Sequence, residues 1–476
     1  MIKVKKKKKN KNLLSKVFLF ILNLIGILDL FLLIKLNVLP GKFLIPILTF
    51  LVIILIIVNF LLTRKKKKKR AIYGIAIIVI SLLALCLYYL LGTVGFLNNF
   101  GGNTYKEEIY SIVVLKDSEY KKITDLENKS LGLVKEENEV QNKVLKKIDK
   151  KISIKKDYFN DSGALAYSLL EKKVDAILIS NAILEVLYEN IEDFEDKIKI
   201  LYEETIKLEV KEKIEEIDVT KDFFNIYISG IDTYGSVNKT SRSDVNLILS
   251  VNPKSNQILI TSIPRDYYVV LADKKGFKDK LTHAGIYGVD TSMKTIANLL
   301  NTEIDYYIKV NFSSLINVVD TLDGINVKSK YEFTSKDGIT FKKGINYLNG
   351  KEALSFVRER KAFGNIGGDR VRGENQQIVL KALIEKALNP SILTKYNSLL
   401  KSVDNSFITN IPEKYITTLI SQQLKNNNSW KIEMQNLDGT NGYEYTYSYQ
   451  SQKLYVMIPD EESLSQAIER IRLLNN

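Results

Sequence analysis

Three long apolar stretches open the chain, at 17–34, 43–62 and 71–91, each about the length that carries a helix across ~30 Å of hydrocarbon. Beyond them the pattern shortens to globular runs. The apolar, β-branched runs at 109–115, 130–134 and 174–180 read as strands, and a helical pattern at 165–170 precedes the last of them. Strands alternating with helices predict an α/β layer with parallel pairing. A charge-dense stretch at 207–221 reads as an interdomain connection. Further on, 224–229, 245–251 and 258–263 are strand candidates, the last two joined by N-P-K-S-N-Q, which has hairpin turn chemistry. Helical patterns follow at 292–300 and 312–322, with an extended run at 306–311 between them and Asp323-Gly324 marking a stop. A glycine-punctuated hairpin at 338–350 leads into the helix start N-G-K-E-A-L, and 371–388 forms a long amphipathic helix. Tyr443, Tyr445, Tyr447 and Tyr449 alternate as one packed face of a strand would.

Charge orients the apolar spans. Lysines 5–9 precede the first, and the basic block 64–70 joins the second to the third, which predicts that both blocks are cytoplasmic. Three crossings then place everything after about Leu97 outside the cell. Asn23 and Asp29 within the first span predict a polar contact inside a three-helix bundle. The formal charge of +14 is not a nucleic-acid signal, because residues 1–70 hold 17 Lys and Arg against one acid while the remainder holds 52 basic and 54 acidic residues. The lysine runs read as topology signals and contacts to anionic membrane lipid. Cys86 is the one cysteine and lies in the third span, so no intrachain disulfide forms. A single histidine, His283, argues against a protease triad or a His-rich zinc site. The fold class is α/β, in three parts: 1–97, a cytoplasmic tail and three transmembrane helices; 98–218, beginning with the linker N-N-F-G-G-N-T, a small extracytoplasmic α/β accessory domain with a spacer role; and 219–476, a larger α/β domain.

Candidate chemistry gathers in that last part. S-R-S-D at 241–244, I-P-R-D at 263–266 and V-R-E-R…G-G-D-R-V-R-G-E-N-Q-Q between 357 and 377 are three separated clusters of arginine and carboxylate. Guanidinium forks match phosphate oxygens two at a time, and nearby carboxylates can hold a divalent metal that bridges the same phosphates. The hairpin adds geometry: if Val251 pairs with Ile258, register sets Asp244 opposite Arg265 at its open end. On the helix at 371–388, Arg372, Asn375 and Gln376 share one polar stripe near the N-terminus, where an anion is favoured.

Seven blocks from about Asn225 to Leu388, among them S-R-S-D-V-N-L-I-L-S, I-T-S-I-P-R-D-Y-Y-V, K-L-T-H-A-G-I-Y-G-V and G-G-D-R-V-R-G-E-N-Q-Q, resemble in order the motifs of the LytR-CpsA-Psr (LCP) family of cell-envelope enzymes. Three membrane helices and an accessory domain look like its capsule-associated branch. The resemblance implies an α/β/α layered LCP phosphotransferase domain enclosing an apolar tunnel for a polyprenyl chain. It implies a membrane-anchored transferase that moves a glycopolymer, capsular polysaccharide or wall teichoic acid, from polyprenyl diphosphate to peptidoglycan as a phosphodiester. By motif position, Arg242, Arg265, Arg358, Arg360, Arg372 and Gln376 would bind the diphosphate. Asp244 and Asp369 would hold Mg2+, and the catalytic set would be Asp244, Arg265, Asp369 and Arg372. Asp266, Glu359 and His283 are expected to be structural. A polyprenyl-diphosphate glycan hydrolase, or a non-catalytic membrane sensor or scaffold, would use the same arginines.

Overall fold

The computed structural model describes residues 3–36, 39–64, 69–100, 105–135, 139–209, 216–232, 237–361, 368–389 and 407–476. They form two compact units.

The first unit holds helices α1 (Lys3–Leu36), α2 (Gly41–Thr63) and α3 (Lys69–Phe100). Each contains an apolar segment long enough to span a membrane, Leu13–Leu36, Gly41–Thr63 and Arg70–Gly95. Leu22, Leu51, Leu55, Val58 and Ala76 form the inner seam, whereas Phe20, Ile27, Phe50, Ile56 and Leu82 point outward, as lipid-facing side chains do. Gly26 lets α1 approach α2, since a Cβ there would lie 2.7 Å from Leu55. The expected polar contact forms at Asn23, which exchanges hydrogen bonds of 2.9 Å with Asn59. Asp29 is buried, and among the described residues neither of its carboxylate oxygens has a hydrogen-bond partner. The helix Glu413–Asn426 clusters with this unit, and Lys42 Nζ donates to the Lys425 carbonyl. Helix α3 runs through Asn98–Phe100, where the sequence reads as linker, and 101–104 lie outside the described residues.

Among the described residues the second unit contains two large sheets and four two-stranded ones. The first has strand order β3-β2-β4-β1-β5, made of β1 (Tyr105–Leu115), β2 (Ser130–Val134), β3 (Lys155–Phe159), β4 (Ala176–Ser180) and β5 (Ile198–Glu209), with helices α4 (Glu139–Ile148), α5 (Ser162–Leu170) and α6 (Asn181–Asn190). The expectation of parallel pairing holds only for β2 with β3 and β4. Strand β1 pairs antiparallel with both neighbours, because β5 returns alongside it after the short helix α7 (Phe194–Lys197) instead of crossing over. Ile112 and Val114 face one core and Val113 the other, so β1 reads as a continuous apolar run. The connection to the next sheet, 210–215, lies outside the described residues.

The second sheet has six strands. Its middle is β6 (Phe224–Gly230), β7 (Val245–Asn252) and β8 (Gln257–Ser262), an antiparallel run in which Val251 pairs with Ile258 as the turn predicts. Short strands β9 (Tyr268–Val270) and β10 (Lys278–Lys280) pair with each other and lead into helices α8 (Leu281–Ala284) and α9 (Val289–Leu300). Strand β11 (Tyr306–Val310) joins β6 in parallel, Phe407–Thr409 closes that edge, and Lys431–Asn436 runs parallel to β8 at the other. Tyr227, Ile248 and Leu259 face a core with α9 and the C-terminal helix Glu461–Asn475. Ile226, Ile228, Leu247, Leu249, Ile258 and Ile260 lie on the opposite face, beside Ser262, which pairs with Leu247.

Helices α10 (Phe312–Thr321), α11 (Gly350–Arg358) and α12 (Gly368–Ala387) share a further core. Asn349 and Glu352 form a reciprocal cap that starts α11, with bonds of 3.0 and 2.8 Å. A Cβ on Gly350 would sit 2.5 Å from the Ile316 carbonyl oxygen, so glycine allows the close crossing with α10. Helix α12 is fastened to the sheet by Gln377, whose amide donates to the carbonyls of Ile260 and Gln435. The tyrosine series does not share one strand face: the strand Gly439–Thr446 ends before Tyr447, which lies in the turn, and Tyr449 begins the returning strand. Tyr449 is buried, whereas Tyr443 and Tyr445 are exposed.

Candidate active site

The arginine clusters converge where β8, the loop before β7 and the first turns of α12 meet. Backbone bonds stitch these segments together: Asp244 N donates to Gly230 O, Ser243 N to Thr282 O, and Thr282 N to Arg265 O, at 2.8, 3.0 and 2.8 Å. Asp244 and Arg265 meet as the hairpin register requires, with Nη1 2.8 Å from Oδ1. Arg265 also lies 3.5 Å from Asp266 and 3.5 Å from Glu189. A pocket beside this pair is lined by Asp244, Arg265, Asp369, Arg372, Gln376 and Asn436, among others. Gly373 brings α12 close to it, since a Cβ there would be 2.8 Å from Ser262 Oγ.

Asp369 Oδ1 forms an ion pair with Arg372 at 3.1 Å and lies 3.7 Å from Arg360. Arg358, stacked 4.4 Å over Phe312 and 4.0 Å from Asp232, stands at the half-exposed edge. Arg242 pairs with Glu189 and lies 3.9 Å from Glu185. Asn375 does not belong to the anion-facing stripe; its amide donates to Phe356 O and ties α12 to α11. Asp266 forms an ion pair with Lys280 at 3.3 Å, and Glu359 receives the backbone amides of Lys336, Arg360 and Lys361, in keeping with framework roles. His283 is buried between Asp279 and Ser448, at 2.6 and 2.8 Å. Residues 362–367 of the glycine-rich loop lie outside the described residues.

The electrostatics separate the carboxylates. Burial alone would raise Asp244, but the Arg265 and Arg242 guanidiniums outweigh it and hold its carboxyl below the usual range. Asp369 behaves likewise: burial is opposed by Arg372, Arg265 and Arg360, and the net direction is down. Asp232, which the motif reading passes over, is raised by burial and then by the negative charge of Asp244. Arg372 is lowered by burial despite Asp369. It is a buried cation with one close carboxylate, an arrangement that favours an incoming anion.

Among the described residues no group of three or more His, Cys, Asp or Glu could hold a metal ion. The oxygen donors present nonetheless fit Mg2+, which keeps several waters and takes one or two carboxylates plus substrate phosphates. Asp232 and Asp244 repel each other. Asn436 Oδ1, on the pocket wall, is buried without a hydrogen-bond partner among the described residues.

A model of the LytR_cpsA_psr family matches residues 195–464. The chain belongs to the LytR-CpsA-Psr family. Two relatives from Bacillus subtilis are the polyisoprenyl-teichoic acid–peptidoglycan teichoic acid transferases TagU and TagT. TagU is 38% identical over 203 residues, 42% of this chain and 64% of TagU. TagT is 34% identical over 213 residues, again 42% of this chain and 64% of the relative. The match thus spans just under two thirds of each of these LCP proteins. Crystal structures of B. subtilis TagV and TagU align over 53% and 54% of this chain and 97% and 98% of theirs, at 30% and 33% identity with TM-scores of 0.45 and 0.42.

Sequence reasoning missed three carboxylates at this site. Asp232 lies two residues beyond the end of β6, a position where a polar residue after a buried strand is itself a signal. Glu185 and Glu189 come from α6 of the accessory sheet, for which the sequence predicts only a spacer role.

Proposed function

We propose that this chain is a membrane-anchored transferase that moves a glycopolymer of the teichoic acid class from a polyprenyl diphosphate carrier to peptidoglycan, leaving a phosphodiester link. The observation that carries the reading is the convergence of Arg265 and Arg372, from distant segments, on one pocket with Asp244 and Asp369, with Arg242 and Arg360 joined to them through Glu189 and Asp369. Membership of the LCP family and the teichoic acid transferase names of TagU and TagT support the substrate class. The apolar side chains that β6, β7 and β8 place on one face of the six-stranded sheet supply a surface of the right chemistry for a polyprenyl tail. The topology with both lysine blocks inside is supported by Lys42, which bonds to the C-terminal region from the link between the first two spans.

In phosphoryl transfer a protein mainly positions the reactants and stabilises charge. Arg372 and Arg360 would grip the diphosphate, with Gln376 donating from the next turn and Arg242, Arg265 and Arg358 extending the cluster. An acceptor sugar hydroxyl attacks the polymer-proximal phosphorus; the new P–O bond forms as the bond to the bridging oxygen breaks, and polyprenyl phosphate leaves. Asp244 and Asp369 are poor bases because arginines hold them ionised, so the raised Asp232 is the carboxylate suited to receive the hydroxyl proton. Asp244 and Asp369, which line the same pocket, are the residues that would hold Mg2+, which when bound would neutralise charge on the diphosphate.

The test uses the full-length chain in detergent micelles, a radiolabelled polyprenyl-diphosphate glycan and peptidoglycan oligomers, with and without Mg2+, comparing wild type with Arg372→Ala. Metal-dependent linked product that the substitution abolishes is the expected result. Free phosphorylated glycan without linkage would make the chain a hydrolase, and binding with no product of either kind a scaffold.

A further inference from the structure

We propose that the accessory domain buttresses the arginine cluster beside the pocket, and that Glu189 on α6 is a positioning residue that holds the Arg242 and Arg265 guanidiniums side by side. The inference rests on the diphosphate-binding reading of the pocket. Glu189 offers one carboxylate oxygen to Arg242 and the other to Arg265 Nη2, at 3.5 Å, while Glu185, one turn earlier, accepts from Ser241 Oγ at 3.0 Å. Among the described residues, the ion pairs of Arg242 run to these two glutamates of the accessory domain. The catalytic domain therefore supplies Arg242 but leaves its orientation to its neighbour.

The attachment is built to be permanent. Ser180 ends β4 and caps α6 directly, its Oγ accepting from Ile183 N at 3.3 Å, so no flexible loop separates the helix from its sheet. The inner side of α6, Ala182, Leu184, Val186 and Leu187, lies in one apolar cluster with Ile286, Tyr449 and Leu454 of the catalytic domain. Polar contacts flank that cluster: Ser162 Oγ donates to Ser448 O at 2.6 Å and Gln452 to Asn190 O at 3.1 Å. A helix anchored this way holds its outward glutamates at the arginines instead of swinging over them. Burial acts to raise Glu189, but Arg242, Arg265, Lys280 and His283 bring it below the ordinary glutamate value. It is a fixed anion, and it aligns donors for a ligand that approaches from the open side of the pocket.

The experiment is calorimetric binding of geranylgeranyl diphosphate to the full-length chain in micelles, for wild type, Glu189→Gln, Glu189→Asp and Glu192→Gln. Glu192 is an exposed acid just beyond α6 and controls for net charge. We expect Glu189→Gln to raise Kd about tenfold, as loss of a charged partner at a half-buried site does, Glu189→Asp to recover part of the loss, and Glu192→Gln to match wild type. In the transfer assay the same loss should fall on KM for the lipid substrate more than on kcat. An unchanged Kd in Glu189→Gln overturns the positioning role, and so does a lower one, which would make Glu189 a competitor for the arginines. Loss in Glu192→Gln of equal size would reduce the effect to bulk charge and overturn it as well. Failure of the wild type to bind the diphosphate overturns the pocket reading and this inference with it; binding without transfer overturns only the activity.

Discussion

Arg265→Met is the perturbation whose outcome the geometry fixes most closely. The substitution keeps an aliphatic stem and removes a guanidinium that lies within 3.5 Å of Asp244, Asp266 and Glu189. Asp266 retains Lys280 at 3.3 Å, and Glu189 is exposed enough to recover water, so the cost concentrates on Asp244, whose side chain is 11% exposed. Removing one partner of a buried ion pair costs about 3–5 kcal/mol, and the lower end applies because Arg242 still reaches Asp244 electrostatically. For a cooperative unit of roughly 340 residues, about 3 kcal/mol corresponds to a fall in Tm of about 4 °C at ~2.1 cal/mol/K per residue. The pH dependence has a definite sign. In the wild type the Asp244 carboxyl is held below its unfolded value, so its stabilising contribution is present above that value and is lost as pH falls through the folded pKa. In the variant burial dominates and the carboxyl moves above its unfolded value, so the penalty at pH 7 shrinks as the pH approaches the carboxylate range. Scanning calorimetry of both proteins in micelles at pH 7 and about pH 4.5 should therefore show a deficit that falls by half or more at the lower pH. An equal deficit at both would refute the electrostatic account and assign the loss to packing.

Three further outcomes follow from single residues. Asp232→Asn should lower the transfer rate by about 10²-fold and remove the limb of the pH–rate profile that, in the wild type, rises above the ordinary carboxylate range because burial and Asp244 raise this group; initial rates against pH measure both. Gly324→Ala should cost about 1–3 kcal/mol in thermal unfolding, since Gly324 has φ +72° and a Cβ would meet Tyr347 at 2.6 Å and the Leu348 carbonyl oxygen at 2.8 Å. Lys309 is pushed down to about 8 by burial, so the unfolded chain binds the extra proton above that pH and stability should rise from about pH 8 towards the ordinary lysine value; Lys309→Met should flatten that rise in denaturation curves taken across the interval.

The hairpin shows what the sequence makes legible. Two alternating strands and a six-residue turn leave one register that buries both apolar faces, and that register alone brings Asp244 to Arg265. Local signals served as well at the α11 cap and at the stop after α10, where Asp323 and Gly324 both take positive φ. They failed wherever a partner arrives from far along the chain. Glu185 and Glu189 lie one turn apart on the face of α6 opposite Leu184 and Leu187, a pattern that reads as an ordinary solvated stripe. Their arginines stand 53 to 76 residues away, and no periodicity encodes that meeting. The antiparallel β1 escaped for a related reason: a strand buried on both faces shows no alternation from which direction can be inferred.

The same long-range contacts change how the arginine cluster should be understood. Arginines counted in the sequence suggest an open trap for anions. In the folded chain the pocket is lined by Arg265, Arg370 and Arg372 against Asp244, Asp369 and Asp438, so three guanidiniums stand against three carboxylates and the pocket is close to neutral. A diphosphate therefore enters without net charge compensation from the protein. Direct contacts can come from Arg372 and Arg360, which share one carboxylate, whereas Arg265 is surrounded by three. That imbalance divides the cluster into gripping and framework arginines. It is also the reason a divalent cation is expected to accompany the substrate: two added positive charges, which Asp244 and Asp369 would hold, match the two negative charges that the protein leaves unanswered.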